Sequence, residues 1–486
     1  MMRLRMLFML LLGFGVASPL NAQQKSVHFT QKQLYGSGKS LQLQKSNEEI
    51  IPLKKVKSDL SLSVFGYLPY WEYPTARYNL RYDLLTHIAL FDFSVDSLGN
   101  ISNPPYWPWT DVINKAHQNG LKVILSATNF ESSQMHQLLF SDSAKQLLYE
   151  NLKTKVELYN LDGVNIDFEE FYSSERGDVL NNFMKEITAS LHAAIPDCEV
   201  SFAGPSVNWS GWKLAGLADA CDYIFIMGYA FAGSWSDVTG SNAPLLGGAY
   251  NITNTVASTY GSVVRSNPKK LILGVPYYGN KWKTRSANPH TEVVDYALTT
   301  RFRDDVTCAA QYGMVWESSE KTPWYRWNVD DTTWYQVWFD DDSSLGLKYS
   351  LAQAYNLKGI GMWALGYDGT RPELWNEIEK RFKISAVEEI MPQPESFSLS
   401  QNFPNPFNNS TTVRYTIPEN LNGVPVSLKV YSVLGGLIDE PVHRFQPPGM
   451  YEVHISFPQE RSSSGVYYYQ LQAGSFLRTK KMLYLK

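Results

Sequence analysis

The sequence predicts an α/β fold: a (β/α)8 barrel of the TIM type with a small α+β insertion before its eighth strand, followed by a small all-β sandwich. Three observations predict it. Eight short apolar or aromatic runs alternate with segments of helical period between residues 62 and 385. Near-continuous apolar strands need both faces covered, which a parallel sheet wrapped in helices provides. No Gly-rich phosphate loop follows the first run, which argues against a doubly wound open sheet. From residue 396 the pattern changes to short alternating strands divided by Gly, Pro, Asn and Asp.

In chain order, Arg3 and Arg5 precede an apolar run from Met6 to Ala17 and small residues up to Ala22. This is the pattern of a secretory signal peptide, residues 1–22, cut after Ala22. Residues 23–61 are rich in Gln, Lys and Ser and show no sustained period, so a flexible leader is expected there. The barrel, residues 62–385, takes its strands from Ser63, His87, Lys122, Leu161, Glu199, Asp222, Leu271 and Gly359. The segment after Arg176 puts Val179, Leu180, Phe183, Met184, Ile187 and Leu191 on one helix face. A second, starting near Ser344, does the same with Leu345, Leu347, Leu351 and Ala354. The insertion lies between the seventh and eighth strands and includes WYRWNVDDTTWYQVWFDDD. Residues 386–395 read as a linker. The sandwich, 396–486, takes strands from TTVRYTIP, VSLKVYSV, MYEVHISF, GVYYYQLQ and RTKKMLYL.

Composition narrows the function. Of 486 residues, 44% are hydrophobic and 19% charged, which suits a large core and excludes a disordered chain. With 43 Lys+Arg against 47 Asp+Glu, the net charge of −4 argues against nucleic acid as a partner. Aromatics reach 14%, giving many flat apolar faces with polar edges, suited to a core or to a sugar groove. The three cysteines lie in no CxxC or Cys/His cluster, so no structural metal is expected; no cofactor is expected either. Cys198 and Cys221 each precede adjacent strands at one end of the barrel, within disulfide reach if the register allows. A bridge between them is therefore hypothesised, leaving Cys308 free.

The chemistry concentrates in Asp162-Gly-Val-Asn165-Ile-Asp167-Phe-Glu169-Glu170. Strand alternation puts Asn165, Asp167 and Glu169 on one face and Val164, Ile166 and Phe168 on the other. In a barrel the apolar set meets the helices. The polar set then lines the lumen, with Glu169 nearest the C-terminal mouth where barrel active sites are built. Such alternation also fits ion-paired acids on an ordinary amphipathic strand, but this strand holds no Lys or Arg to pair them.

The strand resembles the DxxDxDxE signature of glycoside hydrolase family 18, the chitinase family. Ordered matches continue around the barrel in GYLPYW, LKVILSA, MGYAFAGSW, LGVPYYG, VWFDDDSSLGLK and GIGMWAL. The resemblance implies that Glu169 protonates the glycosidic oxygen and later acts as base toward water. It implies that Asp167 orients the substrate's acetamido group, whose oxygen attacks the anomeric carbon, and that Tyr229 donates to that oxygen. Trp363 would floor the cleavage subsite, with Met227 and Trp71 also touching substrate. Tyr67, Ser126, Asn165 and Asp162 would support the acidic strand, Asp162 structurally. The chain departs from the family pattern at Asn165, which replaces the middle acid, so Asp167 should be more firmly ionised. It departs again at Ala230, where many members carry an acid, and in SATN, where many read SxGG. The form GVNIDFE resembles peptidoglycan- and spore-cortex-directed members. A non-hydrolytic lectin or a surface adhesin on the same scaffold are the readings from other classes, and the retained Glu169 speaks against the lectin.

The tail, FSLSQNFPNPFNNSTTVRYTIP to GVYYYQLQAGSFLRTKKMLYLK, resembles the sorting domain of the bacterial type IX secretion system of the Bacteroidetes–Chlorobi group. That implies export through the periplasm to the cell surface or beyond. The partners expected are a polysaccharide (chitin or peptidoglycan glycan) and the secretion machinery, with the protein a monomer.

Overall fold

The computed structural model describes residues 26–37, 48–56, 58–384, 396–418, 423–457 and 463–486. The expected signal peptide, 1–22, and linker, 386–395, lie outside these. Strands β1 (Ser63–Pro69), β2 (His87–Ser94), β3 (Lys122–Asn129), β4 (Gly163–Phe168), β5 (Glu199–Gly204), β6 (Tyr223–Ile226) and β7 (Leu271–Pro276) begin a parallel barrel. Five further strands follow: β8 (Tyr278–Thr284), β9 (Val293–Arg301), β10 (Met314–Glu317), β11 (Thr322–Asp330) and β12 (Thr333–Trp338). The barrel is completed by β13 (Gly359–Trp363), and its closed order is β1-β13-β7-β6-β5-β4-β3-β2. All eight expected strands are present. The lumen is filled rather than open: Phe225 packs 5.4 Å from Phe65 and 4.9 Å from Tyr67, ring to ring. A Cβ on Gly274 or Gly361 would come within 2.4 or 2.3 Å of the Phe225 ring, so these strand glycines make room for it.

Helix Asp178–Ala194 buries Leu180, Phe183, Met184, Ile187 and Leu191 as its periodicity predicts. Phe183 stacks 6.1 Å from Phe168, so the apolar side of β4 faces the helices. Helix Asp342–Ala354 differs from its expected face. Leu347 is 39% exposed, while Leu345, Lys348, Tyr349 and Ala352 are buried. The polar residue turns inward because the Lys348 ammonium pairs with the buried Asp340 carboxylate.

The insertion is an antiparallel sheet, β10-β11-β12-β8-β9, with helix Phe302–Tyr312. Three of its six tryptophans are core: Trp324 stacks on Trp338 at 5.2 Å, and both pack with buried Trp282. The C-terminal unit has one sheet of β14 (Ser398–Leu399), β15 (Ser410–Ile417) and β18 (Gly449–Ser456). Its second sheet runs β17 (Leu437–Gln446), β16 (Val424–Ser432), β19 (Gly465–Ala473), β20 (Phe476–Tyr484). The sequence pattern omits β17, which is an edge strand with a central proline and two register shifts against β16.

The hypothesised Cys198–Cys221 bridge is absent, and all three cysteines are free. The Cys221 thiol instead donates to the carbonyl oxygens of Leu217 and Tyr223, at 3.2 and 3.4 Å. Burial pushes both the Cys198 and Cys221 thiols up to about 12, which keeps them protonated. Unfolding the protein without reductant should expose three thiols to a chromogenic disulfide reagent. Finding one would restore the bridge.

Residues 26–36 also depart from expectation. They fall within the region read as a flexible leader, yet Val27–Gly36 is a helix seated in the mouth of the barrel. Ser26, His28 and Gln31 are buried. The Ser26 hydroxyl caps the helix by accepting from the Phe29 amide at 3.3 Å. Among the described residues, no helix is long and apolar enough to cross a membrane.

Candidate functional site

Strand β4 positions the acids as alternation requires. Asn165 and Asp167 are fully buried in the lumen, and the Glu169 side chain, just past the strand end, is 15% exposed. Glu170 follows with φ +68°, and Ala230, after Tyr229, has φ +61°. Non-glycine residues in this left-handed region cluster at functional sites, because the surroundings must hold them there. At Ala230 the holder is Asn242, whose side-chain oxygen accepts from the Ala230 amide at 3.0 Å.

The expected supporting residues divide by depth. Tyr67 donates its hydroxyl to Asn165 Oδ1 at 2.7 Å, and Asn165 Nδ2 donates to Ser201 Oγ at 2.9 Å. An amide serves both bonds at once, which gives Asn165 a structural rationale where the family pattern carries an acid. Ser126 is paired with Asn165 across β3 and β4, but its buried hydroxyl has no partner among the described residues. Asp162 stands at the opposite end of β4, where Oδ2 accepts from the Val123 amide at 2.7 Å and pairs with His117 Nε2 at 2.9 Å. It is remote from the mouth and fastens β3, β4 and a helix.

Around Asp167 stand Trp363 and Tyr229, both buried, with Trp71 and Met227 half-buried beside the barrel core. Trp71 lies edge-on to Trp363, 6.2 Å between centroids, and donates Nε1–H to the Tyr367 hydroxyl at 3.2 Å. Met227 donates its amide to the Gly204 carbonyl at 2.8 Å, tying the loop that bears Tyr229 to β5. Burial lifts the Tyr67 and Tyr229 phenols well above their usual range, so both remain protonated.

His28, from the N-terminal helix, sits at the centre of these groups. Nδ1 is 2.8 Å from Asp167 Oδ2 and 3.2 Å from Glu169 Oε1, and Nε2 is 2.9 Å from the Tyr229 hydroxyl. Its ring stacks on Trp363 at 3.8 Å. Burial alone would depress this imidazole, but the Asp167 and Glu169 carboxylates outweigh it and hold the group up at about 9. Burial pushes Asp167 up to about 6 against the opposing pull of His28. Asp167 is thus less firmly ionised than the loss of a neighbouring acid predicts, because burial dominates. Its Oδ1 has no hydrogen-bond partner among the described residues.

Ser26 donates its hydroxyl to Glu169 Oε1 at 2.5 Å, and its amide donates to Glu170 Oε1 at 2.9 Å. Gln31 Oε1 accepts from Trp363 Nε1 at 2.7 Å and from the Tyr367 hydroxyl at 2.8 Å. Lys32 reaches Asp92 at 2.5 Å. These contacts escape sequence reasoning because the docked face is polar and a hydrophobic period cannot report it. The available signal is the spacing of His28, Gln31, Lys32 and Tyr35, which share one helix face. His28, Asp167 and Glu169 also offer three potential metal ligands within 4.8 Å of one another. A charge-assisted hydrogen bond from His28 Nδ1 to Asp167 accounts for their 2.8 Å contact, and a metal ion would have to displace its proton.

The family model described as Glycosyl hydrolases family 18 matches residues 63–368, and the Secretion system C-terminal sorting domain matches residues 401–484. Di-N-acetylchitobiase from Homo sapiens is 30% identical over 256 residues, covering 46% of this chain and 64% of that protein. The aligned part therefore spans just under two thirds of the human relative. The cortical fragment-lytic enzyme of Bacillus subtilis (strain 168) is 21% identical over 325 residues, covering 62% of this chain and 68% of that one. Among solved structures, the Ostrinia furnacalis Group IV chitinase superposes with a TM-score of 0.58 at 20% identity, covering 66% of this chain and 99% of that one. The Bacillus cereus spore cortex-lytic enzyme SleL superposes with a TM-score of 0.55 at 19% identity, covering 67% of this chain and 75% of that one. These two likenesses concern the fold.

Proposed function

Because this chain belongs to glycosyl hydrolases family 18, we propose that it is an exported, retaining glycosidase acting on β-1,4-linked N-acetylglucosamine-containing polysaccharide. The observation that carries the reading is the convergence of Glu169, Asp167 and Tyr229 at the face of Trp363. A sugar ring stacked on Trp363 would bring its acetamido group to Asp167 and Tyr229 and its leaving oxygen to Glu169.

The steps balance without a cofactor. Glu169 gives its proton to the glycosidic oxygen as the C1–O bond breaks, and the acetamido oxygen bonds to C1 to form a cyclic oxazolinium. Asp167, anionic beside the acetamido N–H, offsets the developing positive charge, and the Tyr229 hydroxyl orients the same group. Glu169 then takes a proton from water, whose oxygen bonds to C1 and reopens the ring. Two displacements at C1 leave its configuration unchanged. Tyr67, Asn165 and Ser201 hold the acidic strand in register beneath these groups.

A peptidoglycan glycan is the second substrate reading, favoured by Asn165 and by the cortex-lytic relatives. Export would proceed by signal cleavage after Ala22 and recognition of the C-terminal sorting domain, delivering a monomer to the cell surface or the medium.

The test offers N-acetylchitohexaose and purified peptidoglycan, at millimolar sugar, to the full chain and to a His28→Ala/Gln31→Ala chain in which two contacts of the N-terminal helix with the site are removed. Products are identified by mass and their first-formed anomer by proton NMR. Shorter β-anomeric products from either polymer are expected. An α-anomer, or no product from either polymer with either chain, would overturn the proposal.

A further inference from the structure

We propose that the N-terminal helix Val27–Gly36 is an intramolecular inhibitor that occupies the sugar-binding cleft, so that the folded chain is latent until the helix is displaced. The inference rests on the proposed sugar site. The four groups that the proposed mechanism places against the sugar are already engaged: Asp167 and Tyr229 by His28, Glu169 by Ser26, and the Trp363 face by the His28 ring. The indole edge of Trp363 and the Tyr367 hydroxyl are taken by Gln31. A sugar ring cannot enter while these contacts persist.

His28 resembles the substrate in particulars. Its imidazolium is a flat, five-membered cationic ring, as a cyclised acetamido group is, and it spans Asp167 and Tyr229 while stacking on an indole at an interplanar angle of 29°. At Nδ1 it presents an N–H to Asp167 Oδ2, where the substrate amide would present its own. Farther along the helix, Lys32 pairs with Asp92, Tyr35 donates to the Thr299 carbonyl at 2.7 Å, and Arg301 lies 3.9 Å over the Tyr35 ring. Beside the helix a groove remains, lined by Thr30, Ala230, Trp235, Tyr278, Asn280 and Tyr296.

The helix owes its order to the cleft. Ten residues are too few for a stable isolated helix in water, and the buried side chains are polar. Each finds its complement in the barrel mouth, and covalent tethering raises the local concentration of the segment. Cleavage after Ala22 would leave the helix on the exported chain, so secretion alone would not release it.

The experiment compares the full chain with its His28→Ala/Gln31→Ala variant, using a fluorogenic β-glycoside of di-N-acetylchitobiose. A synthetic peptide of residues 26–37 is added in trans. Loss of two buried anchors should raise kcat/KM about tenfold or more, chiefly through KM, and the peptide should inhibit the variant competitively. Equal kcat/KM in both chains, or lower activity in the variant, would overturn the inference while leaving the glycosidase reading intact. If neither chain hydrolyses any offered sugar, that reading fails instead. Titration of N-acetylchitotriose into both then decides the inference: tighter binding by the variant sustains it, and equal binding ends it. A Lys32→Glu chain, altered at the Asp92 contact and not at Asp167 or Glu169, provides a second measure of release should the double variant fold poorly.

Discussion

Replacing Glu169 by Gln should reduce hydrolysis of N-acetylglucosamine oligomers about 10²–10⁴-fold, the range typical for a lost general acid. The substitution keeps the volume and a hydrogen-bonding end but removes the proton that the leaving oxygen needs. Ground-state binding should therefore survive, because the Trp363 face, Asp167 and Tyr229 are untouched. Since Ser26 donates to Glu169 Oε1 at 2.5 Å, the same change also weakens docking of the N-terminal helix. The comparison is best made in both the wild-type chain and the His28→Ala/Gln31→Ala chain, with sugar affinity measured by calorimetry beside the rate. A fall in kcat without a fall in affinity is the expected pattern. Retention of more than a tenth of the wild-type kcat would remove Glu169 from the role of acid.

Why the acidic strand was legible and its occupant was not follows from the range of the interactions. The placement of Asn165, Asp167 and Glu169 depends on the two-residue period of one strand, a local property that any sheet enforces. The strands themselves declare their burial through runs of apolar residues. By contrast, the contact between Gln31 and Trp363 joins positions 332 residues apart through a single polar bond. Neither partner carries a local sign of the other. The inward turn of Lys348 is of the same kind, since only the buried Asp340 makes a lysine preferable to Leu347 at that face. Apolar burial thus reads out locally, whereas polar burial requires knowing the complement.

The second large effect is on pH, where docking of the N-terminal helix should weaken as pH rises from about 6.5 to about 9. A free imidazole titrates near 6.5, and docked His28 is held up at about 9. Between those values the docked state keeps its proton while the released state gives it up. The stabilisation is therefore complete below about 6.5 and is lost as pH climbs through 9, a change on the order of 3 kcal/mol or about 10²-fold in the docking equilibrium. The charged groups facing His28 are Asp167 and Glu169. The Tyr67 and Tyr229 phenols stay protonated throughout, Phe91 and Trp363 carry no charge, and Lys32 is engaged by Asp92. Hydrogen exchange of residues 26–37, corrected for the base-catalysed intrinsic rate, reads docking without depending on turnover. Measured from pH 6.5 upward, protection should fall by about two orders of magnitude toward pH 9.5 and lose this dependence in a His28→Gln chain. Unchanged protection across that interval would show that the imidazolium is not what fastens the helix in the cleft.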